Sequence, residues 1–231
     1  YVNSLDVRVL GVAGGSMVRA RKGEVIDVGP RSAHIAGMGY ACFTDPALFD
    51  GAELYHIQPR SNDPADYIAI RLNNGESVTI TNTCAANVLG ILEDGDYARG
   101  NYESSCKAIQ LLADEVGLSL EGTAEAILTK SSDKIIPVIE DLIMKYKIER
   151  DQIVLVGAGG GAGTLLTFTA NRLKFKYQIP INAEVISSIG VALAMVREMV
   201  ERTIPNPTAA DIAQLKKEAK ALAMNSGAVE D

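Results

Sequence analysis

The chain of 231 residues has no tryptophan, two histidines and three cysteines, and only 5% of it is aromatic. Cys42, Cys84 and Cys106 are widely spaced and form no C-x-x-C pair, with only His34 and His56 as possible nitrogen ligands. Neither a zinc site nor a disulfide framework is indicated, and reduced thiols in a cytoplasmic protein fit best. A basic excess is also missing: 22 Lys and Arg stand against 29 Asp and Glu, for a net charge of −7. That balance argues against a nucleic-acid partner, which needs a basic face. No apolar run reaches the roughly 18 residues of a membrane span, and no signal-peptide pattern opens the chain. A G-x-x-x-x-G-K-S/T motif is absent, which excludes a P-loop. The chain opens on Tyr1 rather than methionine, and Asp6 to Gly11 already reads as a strand, so a fragment or processed chain is expected.

What the chain has is glycine in one decisive place. Ile153 to Val156 form a short apolar run of the kind a buried strand needs, and Gly157, Gly159, Gly160, Gly161 and Gly163 follow before a helix from Thr164 to Leu173. Glycines let another surface come against bare backbone, and a helix start adds unpaired N–H groups and the positive end of a dipole. Strand, glycine loop and helix together make a site for phosphate or for a nucleotide, with Gly160 expected to face the ligand directly. Two other readings stay open. The loop is also a tight turn with glycines for packing, and Gly157 to Ala162 match G-x-G-x-x-A, the dinucleotide fingerprint. Against the latter, the first acid downstream is Glu184, beyond Pro180, and no further βαβ units remain.

Before the loop, residues 1 to about 92 read as β-rich. Met17 to Arg21 and Glu24 to Val28 form a hairpin around Lys22-Gly23, and Val28 to Ala33 and Gly37 to Tyr40 read as irregular. A clearer hairpin alternates Ile68, Ile70 and Leu72 with Val78 and Ile80 across Asn74-Gly75. From about 101 to 148 the period turns helical. Ile109, Leu112, Ala113 and Val116 make one stripe that stops at Gly117. A short helix over Glu121 to Lys130 is expected to break at Ser131-Ser132, and a third carries Ile135, Val138, Ile139, Leu142 and Tyr146, with Pro137 in its first turns. After the loop helix, Tyr177 to Ile181 reads as a short strand. Asn182 is expected to cap a helix through about Arg202, whose apolar half, Val185 to Val196, should be buried, with Gly190 for a close backbone approach. Thr208 to Asp211 resembles a capping box for a last helix carrying Ile212, Leu215, Ala219 and Leu222 on one side, while Lys216, Lys217, Glu218 and Lys220 form a solvated face.

The segments Gly11-Val12-Ala13-Gly14-Gly15-Ser16 and Val28-Gly29-Pro30-Arg31-Ser32-Ala33 resemble the G-A-G-G-G-S and V-G-P-E-S-A patterns of the hydantoinase A and 5-oxoprolinase family. Leu155 to Ala162 and Asn182 to Gly190 are similar to its adenosine-side glycine loop and the helix beyond. Arg31 stands where many relatives have Glu, His34 where they have Gly, and Cys84-Ala85-Ala86-Asn87 where they have T-D-A-N. The resemblance implies an α/β fold, a ribonuclease-H-like (actin-like ATPase) lobe with a β-rich N-terminal part and an inserted helical subdomain. It divides the chain into residues 1–100, 101–150, 151–204 and 205–231.

It further implies an ATP- and Mg²⁺-dependent hydrolase that phosphorylates and opens a hydantoin- or 5-oxoproline-like ring. Nucleotide would lie at Gly157, Gly159, Gly160, Gly161, Gly163 and Gly190, and substrate at Gly14, Gly15, Ser16, Arg31 and Ser32, with Arg31 holding an acidic group. The D-x-G-G-T motifs that hold Mg²⁺ and phosphate in this superfold are missing. The metal ligands are therefore expected outside the chain, which alone should be inactive and need a missing N-terminal lobe or companion subunit. Exposed apolar surface left by that lobe predicts a homo-oligomer. A regulatory or reactivation module of the same superfold and a dinucleotide-binding fragment are the alternatives. His34 with Cys42 is too little for a metal site, and Cys84 reads as a small core residue rather than a nucleophile.

Overall fold

The structure, a computed structural model, describes residues 5–194 and 196–229. The chain divides into two compact units, Tyr1–Val185 and Ile186–Asp231. The first is built on a mixed sheet. Strands β1 (Ser16–Arg21) and β2 (Glu24–Ser32) form the expected antiparallel hairpin, with Gly23 at φ +83° in its turn. Then come β3 (Gly39–Tyr40), β4 (Glu53–Ile57), β5 (Tyr67–Arg71) and β6 (Ser77–Thr79). The order is β2-β1-β5-β6-β3, and β4 pairs with β5 from Glu53↔Arg71 to Ile57↔Tyr67. The β5–β6 hairpin turns where the alternation predicts, at Gly75 with φ +86°, and Leu72 N–H donates to the Glu76 carbonyl at 2.8 Å. β5 has partners on both edges, and packing on each side of the sheet buries both its faces. Ile68 and Ile70 face the helices, and Tyr67 packs with Met17 and Ala33 on the other side.

Two readings of the β-rich part are corrected. Val28 to Ser32 is strand rather than loop, because side chains from elsewhere hold it. The Tyr67 hydroxyl donates to the Gly29 carbonyl at 3.0 Å, and Lys134 Nζ donates to the Val28 carbonyl at 2.6 Å. Gly39-Tyr40, read as irregular, pairs in parallel with β6. Asp6 to Gly11, read as a strand, is not one: Val7 and Val9 are 68% and 90% exposed, and among the described residues the segment pairs with no strand.

Helix α1 (Asn82–Val88) is buried throughout, Cys84 included, and α2 (Tyr102–Val116) follows. Local signals fix the bounds of α2. The Asn101 side chain accepts from Ser104 N–H, and Gly117 leaves in the left-handed region at φ +73°. Its stripe is buried as expected: Ile109 and Leu112 are fully enclosed, and such burial contributes roughly 1.5–3 kcal/mol per side chain. The break at Ser131-Ser132 does not occur. Helix α3 runs unbroken from Leu120 to Tyr146, with Pro137 in its interior. Both serines are small enough to be buried against the rest of the fold, and Ser131 Oγ donates to Asn82 Oδ1 of α1 at 2.7 Å. Pro137 removes one helical hydrogen bond, from the Asp133 carbonyl. Both residues are exposed, so water can take the vacated place.

Strand β7 (Val154–Val156), helix α4 (Ala162–Leu173) and strand β8 (Lys176–Gln178) make one parallel β-α-β unit. The strand is not buried as expected. Val154 and Val156 are 49% and 62% exposed, because the parallel sheet has two strands only.

In the second unit, α5 (Ile186–Leu193) is much shorter than the predicted helix, and Met195, within that prediction, lies outside the described residues. None of α5 is buried: Val191 and Leu193 are 76% and 78% exposed, so an apolar sequence has not brought burial with it. A Cβ on Gly190 would meet open space, so among the described residues no backbone makes the expected close approach there. Helix α6 (Ala209–Asn225) starts on the predicted capping box, Thr208 and Asp211 exchanging both bonds. Among the described residues no helix is long and apolar enough to cross a membrane.

Candidate functional site

Two glycine-rich segments far apart in sequence meet at one cleft of about 730 Å³ in the first unit. On one side is the loop between β7 and α4. Its backbone is held by the neighbouring strand and turn: Gly157 N–H donates to the Gln178 carbonyl at 2.9 Å, and Gly159 N–H to the Ala183 carbonyl at 2.7 Å. The N–H groups of Gly160, Gly161 and Gly163, at the start of α4, have no protein acceptor among the described residues. That leaves donors and the positive end of a helix dipole available to an anion or a polar ligand edge.

The opposite side is Ala13-Gly14-Gly15, and α1 carries it. Asn82 Nδ2 donates to the Ala13 carbonyl at 2.9 Å, Thr83 Oγ1 donates to the Gly14 carbonyl at 3.0 Å, and Ser16 Oγ accepts from Ala13 N–H at 2.9 Å. Gly11 passes so close over Gly29-Pro30 that a Cβ on it would stand 2.7 Å from the Pro30 side chain. Both halves of the N-terminal pattern are thereby locked together beside the cleft.

The reasons for glycine differ along the loop. Only Gly159 needs it for conformation, at φ +90° with open space around its missing side chain. At the others protein is in the way. A Cβ on Gly157 would stand 2.7 Å from Leu166, one on Gly161 3.3 Å from Gly14, and one on Gly163 would run into the Asp96 carboxylate. Gly160, expected to present bare backbone to the ligand, has its Cβ direction covered by the ring of Tyr97 at 2.8 Å. The loop meets the cleft with its backbone; apart from Gly159, its Cβ sides are spent on packing.

Sequence reasoning missed the aromatic rim. Tyr40 and Phe43 line the cleft and stack with ring centroids 5.7 Å apart, His34 leans on Tyr40 at 5.5 Å, and Tyr97 lies across the loop. Burial raises the Tyr40 phenol above its ordinary range, so it stays protonated at neutral pH, and its hydroxyl lies where a Cβ on Gly15 would be. The far end is apolar, with Ile135 and Ile139 from the stripe already visible in sequence. Behind Tyr97 a second hollow of about 390 Å³ collects Glu93, Asp94, Asp96 and Glu184.

Gly14 and Gly15 thus stand in the same cleft as Gly157, Gly159, Gly160 and Gly161. Gly163 stands on the hollow behind. Arg31 and Ser32 line neither, and Ser16 is turned into its own turn. Arg31 is committed to Asp63, Nε lying 2.8 and 2.7 Å from the two carboxylate oxygens, which raises the guanidinium's affinity for its proton. Its Nε is therefore paired within the protein. Gly190 belongs to the second unit.

Under the Tyr40–Phe43 wall lie two enclosed thiols. Burial pushes the Cys84 thiol up, but hydrogen bonds with Cys42 and Thr81 outweigh it and bring it to about 7; the bond to Cys84, with burial, pushes Cys42 up. All three cysteines are free. Among the described residues no three His, Cys, Asp or Glu side chains stand where they could hold a metal ion.

Residues 1–200 match the family model described as hydantoinase/oxoprolinase. Among solved structures, the chain is similar to the ATP-dependent caprolactamase from Pseudomonas jessenii, with a TM-score of 0.54 and 24% identity. The likeness covers 95% of this chain and 29% of that one, and it shows a shared fold. No relative is found among the curated proteins.

Proposed function

The chain belongs to the hydantoinase/oxoprolinase family, and on that premise we propose that it forms the nucleoside-binding part of an ATP-dependent hydrolase of cyclic amides, on a ribonuclease-H-like, actin-like lobe. One observation carries the reading: the Gly14-Gly15 segment and the Gly157–Gly161 loop, each resembling a family pattern by itself, form opposite walls of one cleft. The solved neighbour is named for ATP-dependent action on a lactam, which is a cyclic amide.

The residues fit a nucleoside. The cleft is mostly apolar, is edged by aromatic rings, and offers unpaired N–H groups at the start of α4. When bound, ATP supplies the phosphoryl group that turns an amide oxygen, a poor leaving group, into a good one. The part of this chain is to bind and orient. Gly160 and Gly161 donate from the backbone, Asn82 and Thr83 fix the opposite wall, and Tyr40 and Phe43 keep water from that side. The described residues do not fit Mg²⁺, since no three Asp, Glu, His or Cys side chains among them stand where they could hold a metal ion.

The test is an assay of the protein in its full native length with ATP and a panel of hydantoin, 5-oxoproline and caprolactam. ADP and ring-opened product should form together for at least one of them. Ring opening that proceeds equally without ATP, or no ATP consumption with any cyclic amide, contradicts the reading.

A further inference from the structure

We propose that the apolar end of the cleft, between α3 and α4, is a slot for a purine base, read through the single hydroxyl of Thr169; this rests on the nucleotide reading above. Leu165, Leu166 and Thr169 project from one face of α4 at the spacing of successive turns. Ile135 and Ile139, one turn apart on α3, oppose them, and Leu155 of β7 closes the end. Flat apolar walls suit the faces of a base, and what remains to be satisfied is its polar edge.

Thr169 is 2% exposed, and its Oγ1 has no hydrogen-bond partner. Of the buried hydroxyls left in that state among the described residues, those of Ser132, Thr164 and Thr169, only that of Thr169 belongs to a residue of the cleft wall. An orphaned buried hydroxyl weakens a fold, and a threonine within a helix normally bonds to the carbonyl one turn back. Valine would fill the same space without that cost. The hydroxyl makes sense if a ligand supplies its partner after a rotation about χ1.

This arrangement also sets what the slot distinguishes. A hydroxyl is both donor and acceptor. It accepts from the 6-amino group of adenine or donates to the 6-oxo group of hypoxanthine, and the other described residues named at that end, Leu155, Leu165, Leu166, Ile135 and Ile139, are apolar and contradict neither choice. The slot therefore takes 6-amino and 6-oxo purine nucleotides within about tenfold of each other, as expected of apolar pockets that carry no fixed polar pattern.

Calorimetric titration with ATP and with ITP tests this on the unmodified protein and on Thr169→Val and Thr169→Ser. The unmodified protein should bind both nucleotides within about tenfold, Thr169→Val should weaken both by about tenfold, and Thr169→Ser should keep most of the affinity. Without nucleotide, Thr169→Val should melt at a higher temperature, because it removes an orphaned hydroxyl, so a lost affinity is not a lost fold. Unchanged ATP affinity in Thr169→Val, or a preference for ATP over ITP beyond about 100-fold, overturns the slot and leaves the nucleotide reading standing. Binding of neither nucleotide by the unmodified protein overturns both.

Discussion

Gly14 and Gly161 lie back to back: a Cβ on Gly14 would stand 3.2 Å from the Gly161 Cα, and one on Gly161 would stand 3.3 Å from the Gly14 Cα and nitrogen. Their contact joins the sheet side of the cleft to the helix side, and neither position has room for a methyl group without a shift of backbone. Gly14→Ala and Gly161→Ala should each lower stability by about 1–3 kcal/mol, the range for overpacking a closed contact. Gly190→Ala should instead be neutral or stabilising by up to about 1 kcal/mol, because its Cβ meets open space on a helix. Denaturant midpoints compare them, and a Gly161→Ala protein as stable as Gly190→Ala would dissolve the contact.

Gly160 and Tyr97 should be coupled. Alanine at 160 puts a methyl group against the ring, but Tyr97 is 72% exposed and can swing away. A double-mutant cycle of Gly160→Ala with Tyr97→Ala should give an interaction energy of about 0.5–3 kcal/mol, with the second change relieving the first. Strict additivity in stability would mean that the ring does not rest on the loop.

How much of this was legible depends on how local the cause is. Helix α2 and the Thr208 capping box were read correctly because cap, stripe and stop lie within a few residues of one another. Asp6 to Gly11 alternates like a strand, yet pairing depends on a neighbour that its own sequence does not mention. Ser131-Ser132 has poor helix propensity, and tertiary burial with the bond to Asn82 overrides it. The glycine motifs announced a site. The ring over Gly160, the anchors Asn82 and Thr83 and the hydroxyl of Thr169 come from segments far away in the chain, so only the fold brings them together. The pairing of Arg31 with Asp63 was not legible either, because Asp63 follows a loop that no local pattern ties to it.

The Arg19–Asp66 pair should give the fold an acid limit. Asp66 lies 2.6 and 3.0 Å from two guanidinium nitrogens, and the hydrogen bond to Arg19, opposed by partial burial, holds its carboxyl below the ordinary value of 3.8. A carboxyl depressed in the folded state contributes stability above its unfolded pKa and loses it as pH falls through the folded value. The difference in melting temperature between the unmodified protein and Asp66→Asn should therefore be full at neutral pH and shrink below about pH 4. A difference constant from pH 7 to pH 3 would show that the pair does not titrate with folding.

Thiol chemistry should separate the cysteines by depth. Cys106 is half-buried, whereas Cys42 and Cys84 are fully enclosed, and a thiolate reacts only when reagent reaches it. With an aromatic disulfide reagent at pH 8, one thiol per chain should react before the fold opens and the other two on the timescale of unfolding. Cys106→Ser should remove the early phase. Three equally fast thiols would place Cys42 and Cys84 nearer to solvent than the structure does.

The central claim is that the cleft between Gly14-Gly15 and Gly157–Gly161 binds an adenine nucleotide. Isothermal calorimetry of the protein with ATP, ADP and NAD tests it most directly, with Gly161→Val, whose side chain would force the Gly14 and Gly161 backbones apart, as the variant that distorts the cleft and with circular dichroism to check that it folds. The account predicts heat from ATP and ADP, none from NAD, and loss of the signal in Gly161→Val. Binding of NAD without either adenine mononucleotide, or an ATP signal untouched by Gly161→Val, would contradict it.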